Sequence, residues 1–297
     1  IGGILLGNGD GTFSDVKLFT SHDTPIEVAL ADINGDGKLD LVTAASAQTE
    51  LRFGDGKGTF GTRSLVGFQE STDRMVVADL TGDGAPDIVT SNRSGIVVSH
   101  NLGKGVFETI PTAYHIVPDW KDRRSYLSVA DFDGDGDLDV VTNQYVGSDW
   151  TDCQATVLLN DGAGKFATKF QFRDEMRNLV AGDFTGDGKA DLTVLSGEGS
   201  HSVLQIVRNK GNGVFAVPVD VQKGTYFPSA ATTMADIDDD GKPDFIHGPL
   251  SASGLVLDRN DGKGSFVNYS NLPTPDRAYA VASADLTGDS VVDIVAA

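Results

Sequence analysis

Six nine-residue segments of this 297-residue chain set oxygen-bearing side chains at positions 1, 3, 5 and 9. The first runs Asp32-Ile33-Asn34-Gly35-Asp36-Gly37-Lys38-Leu39-Asp40 and supplies Asp32, Asn34, Asp36 and Asp40. The next two supply Asp79, Thr81, Asp83 and Asp87, then Asp131, Asp133, Asp135 and Asp139. The last three supply Asp183, Thr185, Asp187 and Asp191; Asp236, Asp238, Asp240 and Asp244; and Asp285, Thr287, Asp289 and Asp293. Three or four carboxylates within nine residues repel one another unless a cation sits among them. A hard cation such as Ca²⁺ takes six to eight oxygens at ~2.3–2.6 Å, and alternate residues of a tight loop can turn their side chains toward one point. The position-7 main-chain carbonyl adds a further oxygen, from Lys38, Ala85, Asp137, Lys189, Lys242 and Val291. The expectation is up to six Ca²⁺, one per segment, and a fold that depends on them. Segment 5 has Asp239 where the others have Gly. Segment 6 has Ser290 where Gly best accepts a left-handed backbone, so it is the weakest site.

Other acidic-loop chemistries fit poorly. An EF-hand needs a bidentate Glu at position 12 and flanking helices. Position 12 is Thr43, Thr90, Thr142, Val194, His247 or Ala296, and both flanks read as strands. No phosphate-cradling P-loop accompanies the carboxylates, which argues against magnesium-dependent phosphoryl transfer.

The loops must be held by something that repeats. Their opening Asp residues are spaced 47 to 53 residues apart, and a second motif alternates strictly with them. This is a glycine-rich turn ending in Phe13, Phe60, Phe107, Phe166, Phe215 and Phe266. Each unit reads as four short β-branched strands. Strand A precedes the acidic loop (26–31, 75–78, 126–130), and strand B follows it. Strand C leads into the glycine turn, and strand D follows the Phe. No stretch sustains a 3.6-residue period. Periods near 50 with four strands each predict an all-β, six-bladed propeller of antiparallel blades forming one domain over residues 1–297. The chain begins with strands C and D and ends after strand B. Closure of the ring by the N-terminal strands completing the C-terminal blade is therefore expected, with a linear array as the alternative.

The pattern Asp-x-Asn/Asp/Thr-Gly-Asp-Gly-x-x-Asp between strands, with Phe-Gly-Asp-Gly at 53–56, resembles the FG-GAP/VCBS repeat. That repeat builds the propeller of integrin α chains and occurs in secreted bacterial and fungal proteins, propeller lectins among them. The resemblance spans essentially the whole chain. It implies a propeller and calcium, and it leaves function open among adhesion modules, lectins and enzyme-linked propellers.

Composition narrows the partners. Asp plus Glu number 43 against 23 Lys plus Arg, a formal charge of −20 that repels nucleic acid and anionic headgroups. Twenty of the acids are Asp ligands of the six loops, so six Ca²⁺ leave about −8. No run approaches the ~18–20 apolar residues of a membrane span, so no membrane insertion is expected. A single Cys excludes a disulfide framework, and Cys153 reads as a bystander in a loop. The chain starts at Ile1 without a basic-then-apolar leader, so a secretion signal has been removed or was never part of it. Calcium loops of this kind suit millimolar calcium, which places the protein outside the cell.

Ligand chemistry concentrates in two long connections, 111–125 and 143–154, which hold both Trp residues. Tyr114, His115, Asp119, Trp120, Arg123, Tyr126, Tyr145, Asp149 and Trp150 combine aromatic faces with charge, as sugar or peptide recognition requires. The same residues equally suit a small core for long loops. No nucleophile elbow or zinc-protease helix motif is present. The favoured reading is a non-catalytic extracellular binding, adhesion or structural module with a glycan or extracellular protein as ligand. A calcium-stabilised lectin comes second, and a polysaccharide-active enzyme on the same scaffold third. Oligomeric state is open.

Overall fold

The computed structural model describes residues 2–4, 17–19, 25–45, 48–66, 72–92, 95–108, 111–116, 125–145, 153–174, 176–196, 202–224, 232–247, 254–273, 281–284 and 292–296. They hold only strands, turns and bends, with no helix among them. The described residues fall into two compact units, one up to Arg173 and one from Asp174 on.

In the first unit, β1 (Gly2–Ile4) and β2 (Lys17–Phe19) form an antiparallel pair. Three four-stranded antiparallel sheets follow, each in strand order along the chain. The first has β3 (Pro25–Ala31), β4 (Asp40–Ala45), β5 (Thr49–Arg52) and β6 (Ser64–Val66). The second has β7 (Arg74–Ala78), β8 (Asp87–Ser91), β9 (Gly95–Ser99) and β10 (Thr112–His115). The third has β11 (Tyr126–Ala130), β12 (Asp139–Tyr145), β13 (Cys153–Asn160) and β14 (Phe166–Asp174).

The second unit repeats the plan with β15 (Met176–Gly182), β16 (Asp191–Ser196), β17 (Ser202–Val207) and β18 (Val219–Gly224). A further sheet comprises β19 (Thr232–Ala235), β20 (Asp244–His247), β21 (Leu255–Asn260) and β22 (Phe266–Leu272). The antiparallel pair β23 (Val281–Ala284) and β24 (Asp293–Ala296) ends it. The expected strands thus appear where loop and turn signals placed them, in five four-stranded sheets among the described residues. The terminal pairs β1–β2 and β23–β24 are separate two-stranded sheets.

Burial explains the continuous apolar runs. The middle strands β4, β9 and β16 are buried at every residue, whereas the outer strand β10 is mostly exposed. A sheet covered on both faces selects β-branched residues at successive positions rather than in alternation. The cover is the neighbouring repeat. Val42, Leu51 and Ile33 of the first repeat cluster with Met75, Ile88 and Phe107 of the second. Leu80, Val89 and Ile96 of the second cluster with Val140, Leu158 and Phe166 of the third. In the second unit, Phe184, Leu195 and Leu204 meet Phe245 and Phe266.

Two residues at position 2 of the acidic loops, Ile33 and Leu80, therefore belong to the core, as does Phe184. Each is 0–1% exposed and packs toward the turn Phe of the following repeat. Cys153 is not in a loop. It opens β13 opposite Tyr145 and is fully buried, because the strand extends further toward the long connection than its apolar run indicates.

Candidate metal centre

Each acidic loop joins the first strand of a sheet to the second, and its backbone is shaped by its own carboxylates. Asp32 at position 1 accepts the N–H groups of Gly35 (2.8 Å), Asp36 (3.0 Å) and Gly37 (2.7 Å). Asp79, Asp131, Asp183 and Asp236 repeat this bracket. It requires left-handed residues at positions 4 and 6, such as Gly35 (φ 74°) and Gly37 (φ 80°), where a side chain would be strained. In the fifth loop Asp239 adopts φ 59° at that place. Position 5 accepts the position-7 N–H, as Asp36 does from Lys38 at 3.0 Å.

Position 9 is a buried brace. Asp139 accepts the Phe132 N–H on Oδ2 (2.7 Å) and the Asn160 N–H on Oδ1 (2.8 Å), and it is fully buried. Asp40, Asp87, Asp191 and Asp244 do the same, tying the acidic loop to the glycine turn of the same sheet. Both turns thus lie at one end of each sheet. Burial pushes the Asp139 carboxyl up to about 6, against the lowering by the Asn160 and Phe132 N–H groups, with Asp133 and Asp135 adding to the rise. Asp87, Asp191 and Asp244 are raised for the same leading reason, burial.

Position 3 is what the loop leaves unfinished. Thr81 Oγ1, Asp133 Oδ1 and Asp238 Oδ1 are buried without a hydrogen-bond partner, whereas Asp238 Oδ2 meets Arg259 Nε. A buried polar atom in that state costs about 1–3 kcal/mol. Carboxylate oxygens of Asp131, Asp133 and Asp139 lie within 4.8 Å of one another, as do those of Asp236, Asp238 and Asp240. Orphaned oxygens facing converging carboxylates fit a hard, oxygen-seeking cation. Asn34 and Thr185 differ. Asn34 Oδ1 accepts from Asp36 N–H (2.9 Å), and Thr185 Oγ1 donates to Asp191 (2.8 Å).

Of the predicted ligands of the first five loops, carboxylates converge this closely, among the described residues, only in the third (Asp131, Asp133, Asp139) and the fifth (Asp236, Asp238, Asp240). In the sixth, Asp285, Thr287, Asp289 and Val291 lie outside the described residues, while Asp293 opens β24. Of the long-connection residues, Asp119, Trp120, Arg123, Asp149 and Trp150 also lie outside the described residues. Tyr145 ends β12 and His115 ends β10. Tyr114 stands edge-on to Phe166 at 5.5 Å, and its hydroxyl accepts the Phe166 N–H at 3.1 Å.

Tyr126, a predicted ligand residue, opens β11 within a seam at the far ends of the inner strands of the first unit whose other members sequence reasoning did not single out. The Arg74 guanidinium sits over the Tyr126 ring at 5.3 Å and lies 3.7 Å from Glu27. Ser125 Oγ lies 2.7 Å from Ser91 Oγ and 3.3 Å from Asp73. Burial raises the Glu27 carboxyl, and Arg74 lowers it less strongly. The dipeptide Asp73-Arg74 just before strand A was the available signal.

The FG-GAP-like repeat model matches residues 2–43, 32–90, 79–142 and 183–247. No curated protein matches the chain in sequence. Among solved structures, an Agrocybe aegerita lectin that recognises non-reducing terminal N-acetylglucosamine superposes with a TM-score of 0.68 at 22% identity, over 99% of this chain and 79% of the lectin. The Photorhabdus luminescens Tc holotoxin pore gives a TM-score of 0.51 at 19% identity, over 99% of this chain and 14% of that one. At these identities the likeness concerns the fold, a propeller-like succession of four-stranded sheets.

Proposed function

The chain belongs to the FG-GAP-like repeat family, and on that footing we propose that it is a non-catalytic, extracellular binding module whose ligand is a glycan. Its six repeats are read as six blades of a propeller, one per acidic loop. Ca²⁺ stiffens the acidic-loop end of the blades it loads, leaving the opposite end to the ligand.

The observation that carries the glycan reading is the seam of Asp73, Arg74, Ser125 and Tyr126. Recognition of a sugar ring needs an aromatic face for its C–H groups and charged donors and acceptors for its hydroxyls. That seam sets an aromatic ring beside charged groups on adjacent inner strands, away from the acidic loops, with one ring face already under Arg74 and Ser125 buried behind it. The lectin with the same fold binds a terminal N-acetylglucosamine, which makes amino sugars the first ligands to try.

The test is a glycan array read with calcium and with EDTA, followed by calorimetry on any hit. Binding lost in Arg74→Ala, with the melting temperature kept, supports the reading. Capture of an extracellular protein by a chain silent on every glycan would replace it with the adhesion reading.

A further inference from the structure

The loops of repeats 3 and 5 look alike in their carboxylates and differ in one cation. Arg259 immediately precedes Asn260 of the fifth glycine turn, and its counterparts in repeats 1, 2 and 4 are Phe53, His100 and Arg208. Those three side chains reach forward to the next repeat. A Cβ at Gly105 would fall 2.6 Å from the Phe53 ring, His100 Nε2 lies 3.2 Å from Gly164 O, and Arg208 Nη2 donates to Lys263 O at 2.6 Å.

Arg259 turns back instead. Its Nε contacts Asp238 Oδ2, and its Nη2 lies 3.1 Å from Asp240 Oδ2 within the loop of its own repeat. Lys242 Nζ adds a second cation on Asp240 at 2.8 Å. The third loop has Leu159 and Asp137 at the places of Arg259 and Lys242. Among the described residues no Lys or Arg pairs with Asp131, Asp133 or Asp139.

A guanidinium is charged at every working pH and presents a planar fork to carboxylate oxygens. It therefore competes with a metal ion for the same atoms of Asp238 and Asp240. The fifth loop also has most need of an inbuilt cation, since Asp239 adds a fifth carboxylate to its nine residues. The Arg259 side chain is 47% exposed, so water and salt weaken the pair and it yields to enough metal.

We propose that Arg259 is an internal counter-cation for the fifth loop, holding that repeat without a divalent ion at calcium concentrations that load the third. The inference rests on the calcium reading of these loops. In effect the protein has at least two classes of repeat, one stiffened by metal from solution and one by its own side chain.

Equilibrium dialysis of the full chain against ~1 mM Ca²⁺, a concentration suited to extracellular-type sites, counts bound ions directly. Arg259→Gln is expected to bind one Ca²⁺ per chain more than the unaltered protein. Asp133→Asn should bind one fewer, and Asp238→Asn, with Arg259 in place, the same number. Equal counts for Arg259→Gln and the unaltered chain overturn the assignment, as does loss of one ion in Asp238→Asn. An unaltered chain that binds no Ca²⁺ overturns the calcium reading instead. If Arg259→Gln does not fold, the Asp238→Asn count decides alone.

Discussion

Asn160 Nδ2 donates to the carbonyl oxygen of Leu80, 80 residues earlier in the chain, at 2.7 Å, and to that of Leu138 at 3.1 Å. One amide thereby joins position 2 of one acidic loop to position 8 of the next. Asn101 does the same for Ile33 and Pro86, and Asn260 for Phe184 and Pro243. The acidic loop, proposed above to hold a metal ion, is thus also the point where successive repeats are fastened.

Removing that amide strands two carbonyls, one of them buried. Asn160→Ala should lower stability by about 2 kcal/mol, given ~1–3 kcal/mol for an unpaired buried polar group. Asn160→Asp should cost at least as much despite its equal size, because it sets an acceptor against acceptors. Urea denaturation of both variants checks this, and an unaffected Asn160→Asp would reduce the residue to packing.

The turn Phe residues anchor the same junction from the apolar side. Phe166 is 8% exposed and packs in the cluster of Leu80 and Val140. Phe166→Ala should cost about 3–5 kcal/mol, the range for a core Phe. Phe53→Ala, at a site 39% exposed, should cost about 1 kcal/mol. Denaturation midpoints at equal m-values distinguish the two.

Glu27 gives a pH signature away from the acidic loops. Burial raises its folded pKa above the ordinary carboxylate value by more than Arg74 lowers it. A raised acid contributes stability that is present below the unfolded pKa and is lost as pH rises through the folded one. Glu27→Gln should therefore remove part of the fall in melting temperature above about pH 4.5, a point near the unperturbed Glu pKa. Parallel melting curves for the variant and the unaltered chain from pH 4 to 7 would contradict this.

The acidic loops were legible because their chemistry is written in side-chain type at fixed spacing, and the strands because β-branched runs fall between glycine and aspartate signals. Position 9 was legible as a ligand. Its role as a buried brace was not, since that depends on N–H groups of Phe132 and Asn160 that only folding brings to Asp139. The recurrence of Asn six residues before Phe107, Phe166, Phe215 and Phe266 was in plain view, but its partners lie up to 80 residues away. Tyr114 shows the opposite limit. An aromatic with a hydroxyl reads as a ligand contact, and here it also serves as a prop for Phe166. Arg259 carried no signal in type alone, because its turn toward Asp238 rather than the next repeat is a matter of rotamer.

The central claim is that cations complete these loops and thereby hold the fold. With a Kd of ~10⁻⁴ M and ~10⁻³ M free Ca²⁺, each occupied loop stabilises the folded state by about 1.4 kcal/mol, and five or six loops by about 7–8 kcal/mol. That is comparable with the whole stability of an ordinary domain. The direct measurement is the melting temperature of the full chain in 1 mM Ca²⁺ and again in excess EDTA. We expect a fall of well over 10 °C on chelation, restored by added Ca²⁺. A melting temperature indifferent to EDTA would contradict the account.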